Sequence, residues 1–176
     1  MNKPRRIAIL TGGGDAPGIN AVIRAVAKHA ILEHNLEVIG IVDGYEGLVH
    51  NRSRKLSYDD VSGILTQGGT ILGASKTSNP YQYAVSEGGR LVFKDLSAKA
   101  LETVRGLEVD ALVCIGGDGT LGIAHRLHRD GVPVVGVPKT IDNDLRGTDL
   151  TFGFDTAVAI ATEAIDRLHT TAQSHH

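Results

Sequence analysis

The chain has 176 residues, 41% of them hydrophobic, with a formal net charge of -2. That size buries a sizeable core as one domain or a little more, and the balanced charge leaves no basic stripe for nucleic-acid phosphates. No apolar run approaches the roughly 20 residues that span a bilayer, and the start MNKPRRIAIL lacks the long apolar region of a secretory signal, so no membrane partner and a cytoplasmic location are expected.

In chain order, RIAIL predicts a first strand, and TGGGDAPG follows it. Ile19, Val22, Ile23, Val26, Ala30 and Ile31 then recur at helical spacing, which makes a strand, glycine loop and helix unit. LEVIGIVD predicts a second strand. Ser57, with Asp60 three residues later, resembles a capping box and predicts a short helix toward Leu65. After the glycine-rich turn QGGTILGAS come a helix over Ser97 to Leu107, the buried strand ALVCI, a helix over Thr120 to Arg129 and the buried strand VPVVGV. A last helix is expected from about Asp155 to His169. Cys114 lies inside ALVCI and reads as a small buried hydrophobe. Strands apolar on both faces, alternating with amphipathic helices, predict an α/β fold: a three-layer sandwich around a mostly parallel sheet.

Ligands of such sheets bind outside the carboxyl ends of the strands. TGGGDAPG, GGDGT (Gly116 to Thr120) and PKTIDND (Pro138 to Asp144) each follow a strand, where backbone amides and helix N-termini face an anion. One such loop is as readily a tight turn; three are expected to share a crevice. Gly117, Gly119 and Gly122 satisfy the outline G-x-G-x-x-G of a dinucleotide site. That match lies in mid-chain and leaves Asp118 and PKTIDND without a role, while Pro17 spoils the pattern in the first loop. A Walker A loop is absent, because Ala74 and Ser75 separate Gly73 from Lys76. Acids and glycines in this arrangement suit phosphoryl transfer, in which positioning and charge neutralisation supply most of the catalysis. Asp118 is then a Mg²⁺ contact, and a cation relieves repulsion among crowded carboxylates such as Asp142 and Asp144. Asp149 reads as part of a solvated turn, and His125 and His128 as exposed helix residues without a third metal ligand.

TGGGDAPGINAVIR, DGYEGL, GGTILG, CIGGDGT, PKTIDNDLRGTD and FGFDTAVAIATEAIDRL resemble, in order, segments of the N-terminal half of bacterial 6-phosphofructokinases. The resemblance implies a Rossmann-like large domain, with residues 1–138 as the nucleotide-binding α/β domain. Residues 139–176 would form the catalytic loop and the start of a second, sugar-phosphate domain. It implies transfer of the γ-phosphoryl group of ATP to fructose 6-phosphate in glycolysis, with Mg²⁺ as cofactor and a homo-oligomer, dimer or tetramer, as the assembly. Asp142 would be the base, with Thr140 and Asp144 holding the sugar end and the loop, and Ile141 beside the substrate. Gly14, Tyr45, Lys76, Thr77, Gly117, Asp118, Gly119 and Thr120 would surround the nucleotide.

Lys76 stands where many relatives have arginine, which keeps the charge but loses a bidentate grip, and the turn SKTSNP is one residue longer than the family's usual form. Arg24 and Lys28 resemble an effector-phosphate site and read equally as exposed cations. The resemblance covers about half the family's usual length. The chain therefore reads as a fragment or truncated product, inactive alone for want of the sugar-phosphate arginines, and His175 and His176 read as ordinary sequence. Donor choice rests on Gly119 and Lys139. Pyrophosphate users of the family typically carry aspartate at the first position and lysine at the second, and Gly119 tips the expectation to ATP, because an aspartate there would obstruct and repel the α-phosphate. A non-catalytic nucleotide-binding module, a pyrophosphate-dependent enzyme and a dinucleotide-dependent oxidoreductase stay open as alternatives.

Overall fold

Strands that are apolar on both faces need cover on both faces, and helices on either side of one sheet supply it. The computed structural model describes residues 5–175; the first four residues and His176 lie outside it. In chain order the elements are β1 (Arg6–Thr11), α1 (Ile19–His34), β2 (Glu37–Ile41), α2 (Tyr45–Val49), β3 (Ser53–Leu56), a 3-10 turn (Pro80–Gln82), β4 (Tyr83–Glu87) and β5 (Arg90–Lys94). Then follow α3 (Ser97–Gly106), β6 (Ala111–Gly116), α4 (Asp118–Arg129), β7 (Val134–Thr140), β8 (Phe152–Gly153) and α5 (Phe154–Ser174). The six-stranded sheet has the order β3-β2-β1-β6-β7-β8. Every pairing in it is parallel except that of β2 with β3.

Alternation along the central strands divides the core in two. Ile9 of β1 and Val113 and Ile115 of β6 pack with Ile19, Ile23 and Ala27 of α1. Ala8 and Leu10, with Leu112 and Cys114, face the other way onto Leu48, Ala100, Val104 and Leu127 of α2, α3 and α4. Each fully buried aliphatic side chain contributes about 1.5–3 kcal/mol, so both layers are fastened to β1 and β6. Cys114 is buried as expected, and burial pushes its thiol up to about 12. Among the described residues no helix is long and apolar enough to cross a membrane.

Besides α2, β3, the 3-10 turn and β8, which were not expected, the elements differ from expectation in four places. Ser57 and Asp60 do exchange cap-like hydrogen bonds, with Ser57 N donating to Asp60 Oδ2 at 2.7 Å, yet only a turn forms, and Gly63 at φ 76 follows before a helix can propagate. VPVVGV is a strand but not a buried one: Val135 is 54% exposed, because β8 pairs with β7 only at Lys139 and Thr140. The antiparallel hairpin of β4 and β5 turns through Gly88 and Gly89, which both have positive φ. Its signal, Gly-Gly between two runs of strand formers, is present in YAVSEGGRLVF. Finally, α5 runs on to Ser174 with none of its residues buried among those described.

Candidate functional site

β1, β6 and β7 lie side by side in the sheet, so the loops leaving their carboxyl ends emerge together. Gly12 N donates to Ile115 O at 2.9 Å and fastens the first loop to the end of β6. Thr120, in the first turn of α4, is wedged into this crossing. A Cβ on Gly12 would sit 2.5 Å from Thr120 Oγ1, and one on Gly116 would overlap the same side chain, so close packing demands glycine at both positions. A fourth segment, Ser75 to Asn79, crosses above, tied by Gly13 N donating to Ser75 O at 3.3 Å. Together they enclose an open cleft of ≈ 450 Å³.

Charge in the cleft is mixed and ordered. Lys139 is 5% exposed, and its Nζ donates to the Gly14 carbonyl, joining β7 to the first loop. Burial holds its ammonium below the ordinary lysine range; Asp15 opposes that shift and Lys76 adds to it. Lys76 is exposed and lies over Gly14, on which a Cβ would come 3.7 Å from its Nζ. Asp118 is the exposed first residue of α4, at a helix end whose free amides favour anions.

On the facing wall, Asp142 N donates to Thr140 Oγ1 at 3.2 Å, and that hydroxyl donates onward to Asp144 Oδ1 at 3.1 Å. Asn143 holds a left-handed conformation, φ 51, and its Oδ1 accepts from Thr151 N at 2.9 Å, closing the loop behind Asp142. Asp142 lines the cleft and is exposed. The arrangement suits an anion held by the glycine loops and two ammonium groups, with one carboxylate free to hold a cation and another to take a proton.

The phosphofructokinase family model matches residues 6–176. The chain belongs to the phosphofructokinase family. It is 59% identical over its full length to a protein named ATP-dependent 6-phosphofructokinase 2 from Clostridium perfringens, and covers 48% of that protein. It is 57% identical to a pyrophosphate--fructose 6-phosphate 1-phosphotransferase from Amycolatopsis mediterranei, over 97% of this chain and 47% of that one. It spans about half the length of these curated relatives. The solved phosphofructokinase from Saccharomyces cerevisiae superposes with a TM-score of 0.76 at 30% identity, over 97% of this chain and 25% of that chain. The α/β sheet expected from the sequence is thus the fold of the phosphofructokinases.

Within this family fold, Gly14, Tyr45, Lys76, Thr77, Gly117, Asp118, Gly119, Thr120, Lys139, Thr140, Ile141 and Asp142 all line the one cleft, while Asp144 stands behind Thr140. Tyr45 is a floor residue: it is 3% exposed, and its hydroxyl donates to Thr120 O at 2.7 Å. Gly122, third glycine of the dinucleotide pattern, does not line the cleft. Lys28 sits over the Tyr58 ring at 3.8 Å. His125 and His128 border a different cavity, and among the described residues no group of three or more His, Cys, Asp or Glu gathers to hold a metal. Asp15, Ser75, Ser78 and Asn79 also line the cleft, and sequence reasoning singled out none of them. The adjacency of Asp15 to three glycines was the available signal.

Proposed function

We propose that this chain forms the nucleotide side and the catalytic loop of an ATP-dependent 6-phosphofructokinase, which transfers the γ-phosphoryl group of ATP to the 1-hydroxyl of fructose 6-phosphate. The observation that carries the reading is the cleft itself, in which Asp118 and Asp142 stand on the loops after adjacent parallel strands with the glycine loop of β1 beside them. Residues 1–138 act as the nucleotide-binding domain, and residues 139–176 as the catalytic loop and the start of a second, sugar-phosphate domain. The protein works as a cytoplasmic glycolytic homo-oligomer.

Asp142 accepts the hydroxyl proton, assistance typically worth about 10²- to 10⁴-fold. Thr140 orients it by accepting from its backbone N–H, and Asp144 fixes the Thr140 hydroxyl in turn. Lys76 and Lys139 attract the phosphates, with Lys139 preorganised by its bond to Gly14 O. The donor set fits Mg²⁺ only when shared with the substrate: Asp118 is exposed at the cleft, and Mg²⁺ is commonly held by one or two carboxylates plus phosphate oxygens. When bound there, the ion supplies charge neutralisation at the phosphates. Gly119 supports ATP as donor: nothing lies within 4 Å of where its Cβ would be, and without a carboxylate there no charge opposes an α-phosphate. Pyrophosphate is the second reading, favoured by Lys139 and by the name of the Amycolatopsis relative. Equilibrium titration of the chain with Mg·ATP and with NAD tests the site. Saturable Mg·ATP binding that Asp118→Asn weakens is expected, and NAD binding without ATP binding would return the cleft to the dinucleotide reading.

A further inference from the structure

Behind the cleft wall, α2 carries a carboxylate that the proposed chemistry does not use. Glu46 follows Tyr45, and its side chain is 25% exposed. Its Oε2 accepts from Ser78 Oγ at 2.5 Å and its Oε1 from the Tyr83 hydroxyl at 2.8 Å. His50 Nε2 stands 3.2 Å and an Arg52 guanidinium nitrogen 3.9 Å from Oε1. Burial works against this charge, but hydrogen bonds from Ser78 and Tyr83, with His50 and Arg52 nearby, outweigh it and hold the carboxyl below the ordinary glutamate range.

A hydroxyl has a single proton to give, and that fixes the direction of the network. Ser78 donates to Glu46, so its oxygen accepts from Ser75 Oγ, 2.7 Å away. Tyr83 also donates to Glu46, so His50 Nε2, 2.8 Å from the phenol oxygen, is the donor at that contact. Ser75 and Ser78 bracket a turn whose middle residues, Lys76 and Thr77, are exposed at the cleft. The Ser75 carbonyl meanwhile accepts from Gly13 N. Glu46 therefore holds Ser78 directly and Ser75 through it, at the two ends of the segment that carries Lys76 over Gly14.

We propose that Glu46 is a positioning residue, which fixes the Ser75 to Ser78 turn and thereby aims Lys76 at the phosphates of the donor. The inference rests on the reading that this cleft holds those phosphates. Lysine is a flexible point charge, and ordering a free turn at the moment of binding lowers affinity; a turn already tied down avoids that loss. Glutamine at position 46 would keep one acceptor and set an amide N–H₂ against a hydroxyl that now donates, so one charge-assisted bond is lost and that hydroxyl must reverse its proton.

Two measurements on the full chain test this. In ligand-free protein, hydrogen exchange across residues 75–79 should quicken in Glu46→Gln while the amides of β1 and β6 stay as protected as in wild type. In Mg·ATP titrations, Glu46→Gln and Lys76→Met should each raise Kd about tenfold at unchanged melting temperature, and the double variant should bind no more weakly than Lys76→Met, because coupled residues are not additive. Ser78→Ala, which cuts the same link and leaves the carboxylate in place, should repeat the result even if Glu46→Gln folds poorly. Unchanged exchange over residues 75–79, or losses that add in the double variant, would overturn the positioning role. Wild-type protein that binds no Mg·ATP would overturn the reading of the cleft instead, and with it the aiming of Lys76.

Discussion

Replacing Gly119 with aspartate separates the fold from the function of the cleft. Gly119 is the second residue of α4, it is exposed, its φ is not positive, and a Cβ there meets nothing within 4 Å. The substitution therefore costs no packing. It removes glycine's freedom in the unfolded chain, worth about 0.4–1 kcal/mol, and adds a carboxylate to a helix first turn, worth about 0.3–1 kcal/mol. A melting temperature equal to wild type or a few degrees higher is expected. Toward ATP the effect is opposite. Two unit charges about 4 Å apart interact by about 4 kcal/mol at an effective dielectric of 20, and screening in an open cleft takes away part of this. A loss above tenfold in kcat/KM for Mg·ATP, about 1.4 kcal/mol, is a safe lower bound. Steady-state kinetics on the full-length enzyme, with thermal melts of the same preparations, make the comparison. A folded variant whose kcat/KM for ATP falls by less than about threefold refutes the donor argument, and a lost activity that tracks a lowered melting temperature refutes the claim that the position is structurally free.

Other substitutions probe the chemistry and the frame. Asp142→Asn should lower kcat by at least about 100-fold with a smaller change in the KM for Mg·ATP, as loss of a base requires; equal kcat values would remove Asp142 from that role. Asp110 accepts from the backbone N–H groups of Arg6 and Arg5, and these bonds hold its carboxyl below the ordinary aspartate range. A depressed folded value stabilises above the unfolded one, near pH 4, and that stabilisation is lost as pH falls through the folded value. Asp110→Asn should therefore melt below wild type at pH 7, the gap closing in acid; a gap that is constant down to about pH 2 would rule out the charge.

What the sequence made legible was whatever needs special backbone or unbroken apolarity. TGGGDAPG, GGDGT and PKTIDND stand out because glycines and crowded acids are conspicuous between apolar runs, and the parallel order of β1, β6 and β7 then brings them together. The hairpin of β4 and β5 escaped notice because its side chains are largely exposed, Leu91 at 68% and Phe93 at 66%, so no buried face marks the run as structure. Glu46 was illegible for another reason: its partners Ser78 and Tyr83 lie 32 and 37 residues away, and no local pattern links a carboxylate to two hydroxyls across that distance. The wedge of Thr120 against Gly12 and Gly116 is likewise a product of close packing. The family resemblance places Thr120 beside the nucleotide, and in the fold its side chain also sets the spacing between two loops.

The cleft is proposed to transfer the γ-phosphoryl group of ATP to fructose 6-phosphate, and a coupled assay for fructose 1,6-bisphosphate tests this most directly. The full-length enzyme is given saturating fructose 6-phosphate and either Mg·ATP or Mg·pyrophosphate, and kcat/KM is measured for each donor. Product from both or from ATP alone, with the higher kcat/KM for Mg·ATP, is the outcome the open site at Gly119 requires. A clear preference for pyrophosphate would make Lys139 the determinant of the donor, and no product with either donor would contradict the assignment of the cleft to this reaction.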